Sequence, residues 1–227
     1  MLAGAASAAS AVADIPTLTS TAKERWDLDE MDIFQAVYEV GGVDRTALLP
    51  PALHPTDPTL LILTAWIGLK VTLVQARISC RSGVRARALL LDSVCPDQAV
   101  GDRLRLGWGF NVRPGEVALT GSRDTVSIKA PGIEFAIDQL EDFDADGVQL
   151  TASMHLVTLP AGERLIQIEP EVQAESARRG RPGAVRVARF PKLHAVSAAI
   201  IHGRVTLVPP RFATRVDLPA FRGTEKL

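Results

Sequence analysis

Hydrophobic and polar positions alternate with a period of two along much of the chain. Val117 and Leu119 are interleaved with Ala118 and Thr120, and Val126 and Ile128 with Thr125, Ser127 and Lys129. Ile133, Phe135 and Ile137 alternate with Glu134, Ala136 and Asp138. Successive side chains of a strand point to opposite faces, so this pattern marks antiparallel strands buried on one side. Turn-forming residues separate the runs at Thr120-Gly121-Ser122, at Ala130-Pro131-Gly132 and at Asp144-Ala145-Asp146-Gly147. Further strands are predicted over residues 149–159, 164–169 (after a turn at Pro160-Ala161-Gly162), 185–190 and 204–208. Short strands punctuated in this way argue for a mainly β, antiparallel, closed or nearly closed barrel with few short helices.

Helical signals are sparse. The clearest covers residues 96–106, with Pro96 at the first position and Gly107 past the last. Asp44 is placed to cap a short helix running to Leu49, before Pro50 and Pro51. Residues 194–202 are apolar nearly throughout and suit either a buried helix or a strand. Residues 175–183, with Arg178, Arg179 and Arg181, read as a solvated loop.

The chain has 227 residues, 47% of them hydrophobic and 22% charged, and a formal net charge of −1. That is the composition of a globular protein, and one domain over residues 26–227 accounts for it. Near-neutral charge offers nothing to a nucleic acid or an anionic membrane. Residues 1–25 read as a flexible tail: its first part is rich in Ala and Ser, without the basic start and apolar stretch of a secretory signal. The longest apolar run, 60–73, is interrupted by Gly68 and Lys70, which argues against a membrane span and for a soluble, cytoplasmic protein. Cys80 and Cys95 lack metal-type spacing and read as free, buried thiols. Cys95 stands beside a helix start, which can lower a thiol's proton affinity. His54, His155, His194 and His202 show no metal-ligand spacing, and no nucleophile elbow or phosphate loop appears.

Several stretches together resemble the acetoacetate decarboxylase family. Leu48-Leu49-Pro50-Pro51-Ala52-Leu53 is similar to its valine-proline-glutamate-proline-leucine stretch, and Gly83-Val84-Arg85 to the glycine turn between two central strands. Ala99-Val100-Gly101-Asp102-Arg103 is similar to its alanine-valine-glycine-arginine-glutamate helix. Trp108-Gly109-Phe110-Asn111 falls where the family has an aromatic and a proline before two lysines. The resemblance covers roughly residues 30 to 215. It implies a cone-shaped barrel with an apolar pocket, a homo-oligomer, and chemistry through the imine of a lysine held neutral by burial and a neighbouring cation.

The matched residues depart from that chemistry. Val112 stands at the imine lysine's position and Arg113 at its lysine neighbour's. Leu63 and Gln75 stand where the family has pocket glutamates, and Met31 near a pocket arginine. Valine forms no imine. Arg113 offers a fork of donors to a carboxylate or enolate oxygen, and Gln75 shares a strand face with Arg77 and Ser79. Arg113 and Gln75 are therefore the expected catalytic residues, converging on one pocket lined by Asn111, Val112, Leu63, Trp108 and Phe110. Lys129 and Lys70 are the alternative nucleophiles, better read as outward-facing. The resemblance then implies an enzyme of lyase or cyclase type acting on an apolar, carbonyl-bearing small molecule without metal or cofactor. The reaction would be a cyclisation, an aldol addition with dehydration, or a pericyclic rearrangement on a polyketide-like intermediate of secondary metabolism. A β-keto acid decarboxylase with an unconventional residue set and a non-catalytic binding protein are the alternatives.

Overall fold

The computed structural model describes residues 3–145 and 150–227. The turn expected at 144–147 and the start of the strand expected at 149 lie partly outside them. Strands take up 58% of the residues and helices 9%. The strands of the first half are β1 (Trp26–Val40), β2 (His54–Pro55), β3 (Leu60–Ile67), β4 (Thr72–Ser82), β5 (Arg85–Cys95), β6 (Val112–Pro114) and β7 (Ala118–Gly121). Those of the second half are β8 (Thr125–Ala130), β9 (Ile133–Phe143), β10 (Ser153–Leu159), β11 (Gly162–Ile168), β12 (Pro170–Val187), β13 (Leu193–Leu207), β14 (Phe212–Arg215) and β15 (Thr224–Lys226). The helices are α1 (Ala8–Ala11), α2 (Gln98–Trp108) and α3 (Ala220–Gly223), with a 3₁₀ turn at Thr46–Leu48.

All strands join one sheet in the order β15-β14-β11-β10-β5-β4-β3-β1-β13-β12-β9-β8-β7, with β2 on β4 and β6 on β5. The mainly β fold with few helices is as expected, while the closed antiparallel barrel needs correcting on two counts. The path has two free ends, and β5 pairs in parallel with both β6 and β10.

The central strands bury both faces. Phe34, Leu61, Leu63, Val74, Ala76 and Ile78 belong to one apolar cluster, and Met31, Ile33, Trp66, Leu73, Leu90 and Val112 to a second. A strand covered on both sides reads as a continuous apolar run, as Leu60–Ile67 does. A bulge shapes β5. Ala76 of β4 faces Asp92 and Arg77 faces Leu90, which leaves Leu91 without a partner. Leu91 and Asp92 thereby come to lie on the same side.

Helix α2 starts later and ends later than expected. Asp97, not Pro96, begins it, accepting a hydrogen bond from the Val100 N–H at 3.0 Å. Gly109, in the left-handed region at φ 66°, ends it, while Gly107 lies inside. Asp44 accepts from the N–H and hydroxyl of Thr46 and starts the 3₁₀ turn. Residues 194–202 are strand, within β13. Residues 175–183 are not a loop but part of β12, paired on both sides with β9 and β13. Their arginines made them look irregular; they pair instead with carboxylates of β9, Arg179 with Glu141 and Arg178 with Asp142.

The N-terminal segment is not a free tail. Ala8, Ala11, Val12 and Leu18 are buried, Gly4 donates to the Leu53 carbonyl, and Asp14 is paired with Arg105. Alanines carry no periodic signal yet fit where backbones approach closely. A Cβ on Gly4 would lie 2.2 Å from the Leu49 oxygen. Among the described residues no helix is long and apolar enough to cross a membrane.

Candidate functional site

Two interleaved rows of residues run across β6, β5, β4 and β3. In the first, Val112 is opposite Ser93, Ser93 opposite Gln75, and Gln75 opposite Thr64. In the second, Arg113 is opposite Val94, Val94 opposite Val74, and Val74 opposite Ala65. Paired residues share a face, and neighbours along a strand do not. Gln75 and Arg113 thus stand on opposite sides of the sheet, and the expected pocket containing both does not exist.

The face of Val112 and Gln75 holds a buried polar cluster. Thr64, Gln75, Ser93, Arg77 and His155 are all 2% exposed or less. Arg77 donates to the Thr64 hydroxyl at 2.7 Å and to the Thr151 carbonyl at 3.1 Å, and pairs with no carboxylate among the described residues. Burial lowers its pKa to about 10, which still leaves it charged at neutral pH. The side-chain N–H groups of Trp66 and Gln75 and the Nε of Arg77 have no acceptor. All three flank Thr64 on two adjacent strands.

His155 completes the cluster. Its Nδ1 lies 2.9 Å from the Trp108 carbonyl, which can only accept, so Nδ1 carries the proton. Its Nε2 then accepts from the Ser153 hydroxyl at 2.8 Å. Burial drives its pKa down to about 3, helped by the nearby Arg77 charge. The ring is a fixed neutral group at pH 7. Phe110 packs edge-on against it and against Trp66. Trp108, the last residue of α2, stacks obliquely on Trp26. Of the expected site residues, Gln75, Val112, Phe110 and Trp108 therefore share this face.

Arg113 and Leu63 belong to the other face, and Asn111 lines it too while accepting from the Ser93 hydroxyl at 3.5 Å. Arg113 is about a third exposed and grips Asp92 through Nε at 3.0 and 3.2 Å and Nη2 at 2.8 Å. Those hydrogen bonds raise its pKa. Its Nη2 also donates to the Pro131 carbonyl. Asn111 donates to the Leu91 carbonyl at 2.7 Å. Both line a cavity with Asp92, whereas Leu63, opposite Ala76, is packed in the core.

All five lysines, Lys23, Lys70, Lys129, Lys192 and Lys226, are exposed. Lys129 pairs with Glu134 and Lys70 with Asp29. Both cysteines are free and buried; desolvation pushes the Cys80 thiol up to about 12 and raises that of Cys95, against the activating effect of a helix start. Among the described residues no cluster of His, Cys, Asp and Glu is placed to hold a metal ion. Sequence reasoning missed Arg77 and His155. The signal for Arg77 was its place two residues from Gln75, on the strand face that also carries Ser79; His155 lies in an apolar strand with nothing in the sequence to tie it to Arg77.

No family model matches the sequence, and no curated protein matches it. Among solved structures, the chain is similar to an acetoacetate decarboxylase at 17% identity and a TM-score of 0.65, over 84% of this chain and 89% of that one. It is similar to acetoacetate decarboxylase from Legionella pneumophila at 14% identity and 0.61, over 85% and 88%. A third likeness, at 14% and 0.61 over 83% and 90%, is to the enduracididine biosynthesis enzyme MppR complexed with pyruvate. MppR is also known with the condensation product of pyruvate and imidazole 4-carboxaldehyde. At these identities the likeness establishes a shared fold.

Proposed function

We propose that the chain is an acetoacetate decarboxylase-like enzyme that works without a lysine imine. It would hold the oxygen of a carbonyl-bearing, largely apolar small molecule against the donors of Trp66, Gln75 and Arg77. The observation that carries this reading is the group of three buried N–H donors without acceptors, on the face that bears Val112. A buried donor left unpaired costs about 1–3 kcal/mol, and a buried guanidinium without a carboxylate costs more. An oxygen gaining negative charge satisfies such donors, most strongly when its charge is greatest, in the transition state.

None of these side chains exchanges a proton near pH 7. Arg77 stays charged and His155 stays neutral. That favours a reaction in which the protein restrains one conformer and stabilises an oxyanion, a cyclisation or pericyclic ring closure. Restraint alone is worth up to roughly 7–11 kcal/mol in the best intramolecular cases. The likeness to MppR, known with pyruvate and a condensation product, favours a second reading, aldol addition with dehydration. There the protons would pass through substrate or water.

Borohydride added with acetoacetate or pyruvate tests the imine. The expected result is no reduced adduct on any lysine by mass spectrometry. An adduct on Lys129 or Lys70 overturns the proposal and promotes an imine-forming decarboxylase. The donor cluster is tested with pyruvate labelled with ¹³C at its carbonyl. Bound pyruvate is expected to show a downfield carbonyl shift that Arg77→Met and Gln75→Leu abolish. A shift unchanged in both variants places the carbonyl elsewhere.

A further inference from the structure

The opposite face of the same strands encloses a cavity of about 330 Å³ that the reading above leaves unused. Ligand pockets begin at roughly this size. Its walls are apolar: Ala76 of β4, Leu91 of the β5 bulge, Ile133 of β9, and Val187 and Phe190 at and beyond the end of β12. Asp14, Asp92, Asn111, Arg113 and Arg189 supply its polar groups.

The charges in this wall do not balance. Asp92 is bound by Arg113 through both carboxylate oxygens. Asp14 is bound by Arg105, from outside the cavity, at 2.8 and 2.9 Å. Arg189 donates only to the backbone carbonyls of Ala11 at 2.7 Å and Ser10 at 3.4 Å, and pairs with no carboxylate among the described residues. With both acids already neutralised, one positive charge remains, at the edge of an apolar chamber.

We infer that this cavity is a second binding site, distinct from the donor cluster, for a small monocarboxylate with an apolar body. The carboxylate meets Arg189, whose planar fork suits two oxygens. The body lies among Ala76, Leu91, Ile133 and Phe190. The N-terminal segment forms one side through Ala13 and Asp14, and Arg189 holds that segment by its backbone.

Calorimetric titration with octanoate, set against 1-octanol, tests the site. Octanoate is expected to bind saturably at one site and about three- to fivefold more tightly than octanol, the size of effect an ion pair at a half-open rim supports. Arg189→Gln is expected to bring octanoate down to the affinity of octanol. Val187→Trp, which fills the cavity from the half-buried end of β12, should abolish binding of both while leaving the arginines in place. Arg77→Met should change nothing here, which separates this site from the donor cluster. The inference is overturned by absent saturable octanoate binding, by equal affinity for octanol in the unaltered protein, or by loss of binding in Arg77→Met.

Discussion

Arg77 is the residue whose presence most needs explaining. Burying a guanidinium without a carboxylate is costly, and replacing buried charge by well-packed apolar groups is often neutral or stabilising by about 1–4 kcal/mol. Arg77→Met is therefore expected to leave stability unchanged or raised in urea titration, while carbonyl turnover falls about 10²–10³-fold as when an oxyanion donor is lost. A large loss of stability instead would make Arg77 a structural residue held by Thr64 and Thr151. His155 has a separate, pH-dependent consequence. Its proton affinity is lowered in the fold, so between roughly pH 6.5 and about 3 the unfolded chain binds a proton that the folded chain refuses. Stability is unaffected above that window and falls as pH drops through it, by roughly 1.4 kcal/mol per unit at most. His202 acts in the opposite sense: its pKa is raised by the hydrogen bond to Asp32. The stabilisation it gives is complete below roughly pH 6.5 and lost as pH rises through its raised value. That pair is largely exposed, so its effect is small. Urea midpoints between pH 4 and 7 should show a flatter acid limb for His155→Asn than for the unaltered protein.

At the scale of elements, α2 and the turn after it set where Asn111, Val112 and Arg113 enter the sheet. Asp97 starts the helix and Gly109 ends it. At Gly109 a Cβ would lie 2.4 Å from the Val157 side chain and 2.9 Å from that of Ile166, on a backbone with φ 66°. Gly109→Ala combines left-handed strain, about 1–2 kcal/mol, with overpacking, about 1–3 kcal/mol. Thermal unfolding should show a clear fall in Tm. Asp97→Ala removes a single capping bond and should cost only about 1 kcal/mol. If the two variants lost equal stability, the close packing behind Gly109 would be in question. The β5 bulge works at the same scale: by leaving Leu91 unpaired it turns Asp92 towards the cavity and Ser93 towards Gln75.

For the whole molecule, the N-terminal segment closes the structure by packing on the core and on the cavity. Val12 and Leu18 are each 1% exposed, and fully burying such side chains contributes roughly 1.5–3 kcal/mol apiece. Deleting residues 2–22 should therefore lower the urea midpoint sharply, whereas a true tail would be removed without effect. The donor cluster and the cavity proposed to take a carboxylate lie back to back on one wall.

The sequence by itself determined the strand-dominated fold, because period two survives wherever one face meets solvent, and a few local stretches carried its resemblance to acetoacetate decarboxylases. It also placed Gln75, Arg113 and Val112 around one pocket; Gln75 and Val112 stand in one row with Ser93, and Arg113 does not. Only the tertiary structure decided which face each central residue occupies. Alternation says that Val112 and Arg113 point apart, but a strand of three residues does not itself say which of them faces Gln75. That choice rests on the parallel pairing of Val112 with Ser93 and on the bulge at Leu91, both contacts between segments far apart in the chain. The same pairing kept Arg113 off the face that Gln75 shares with Arg77, and the packing of β10 brought His155 under the influence of Arg77.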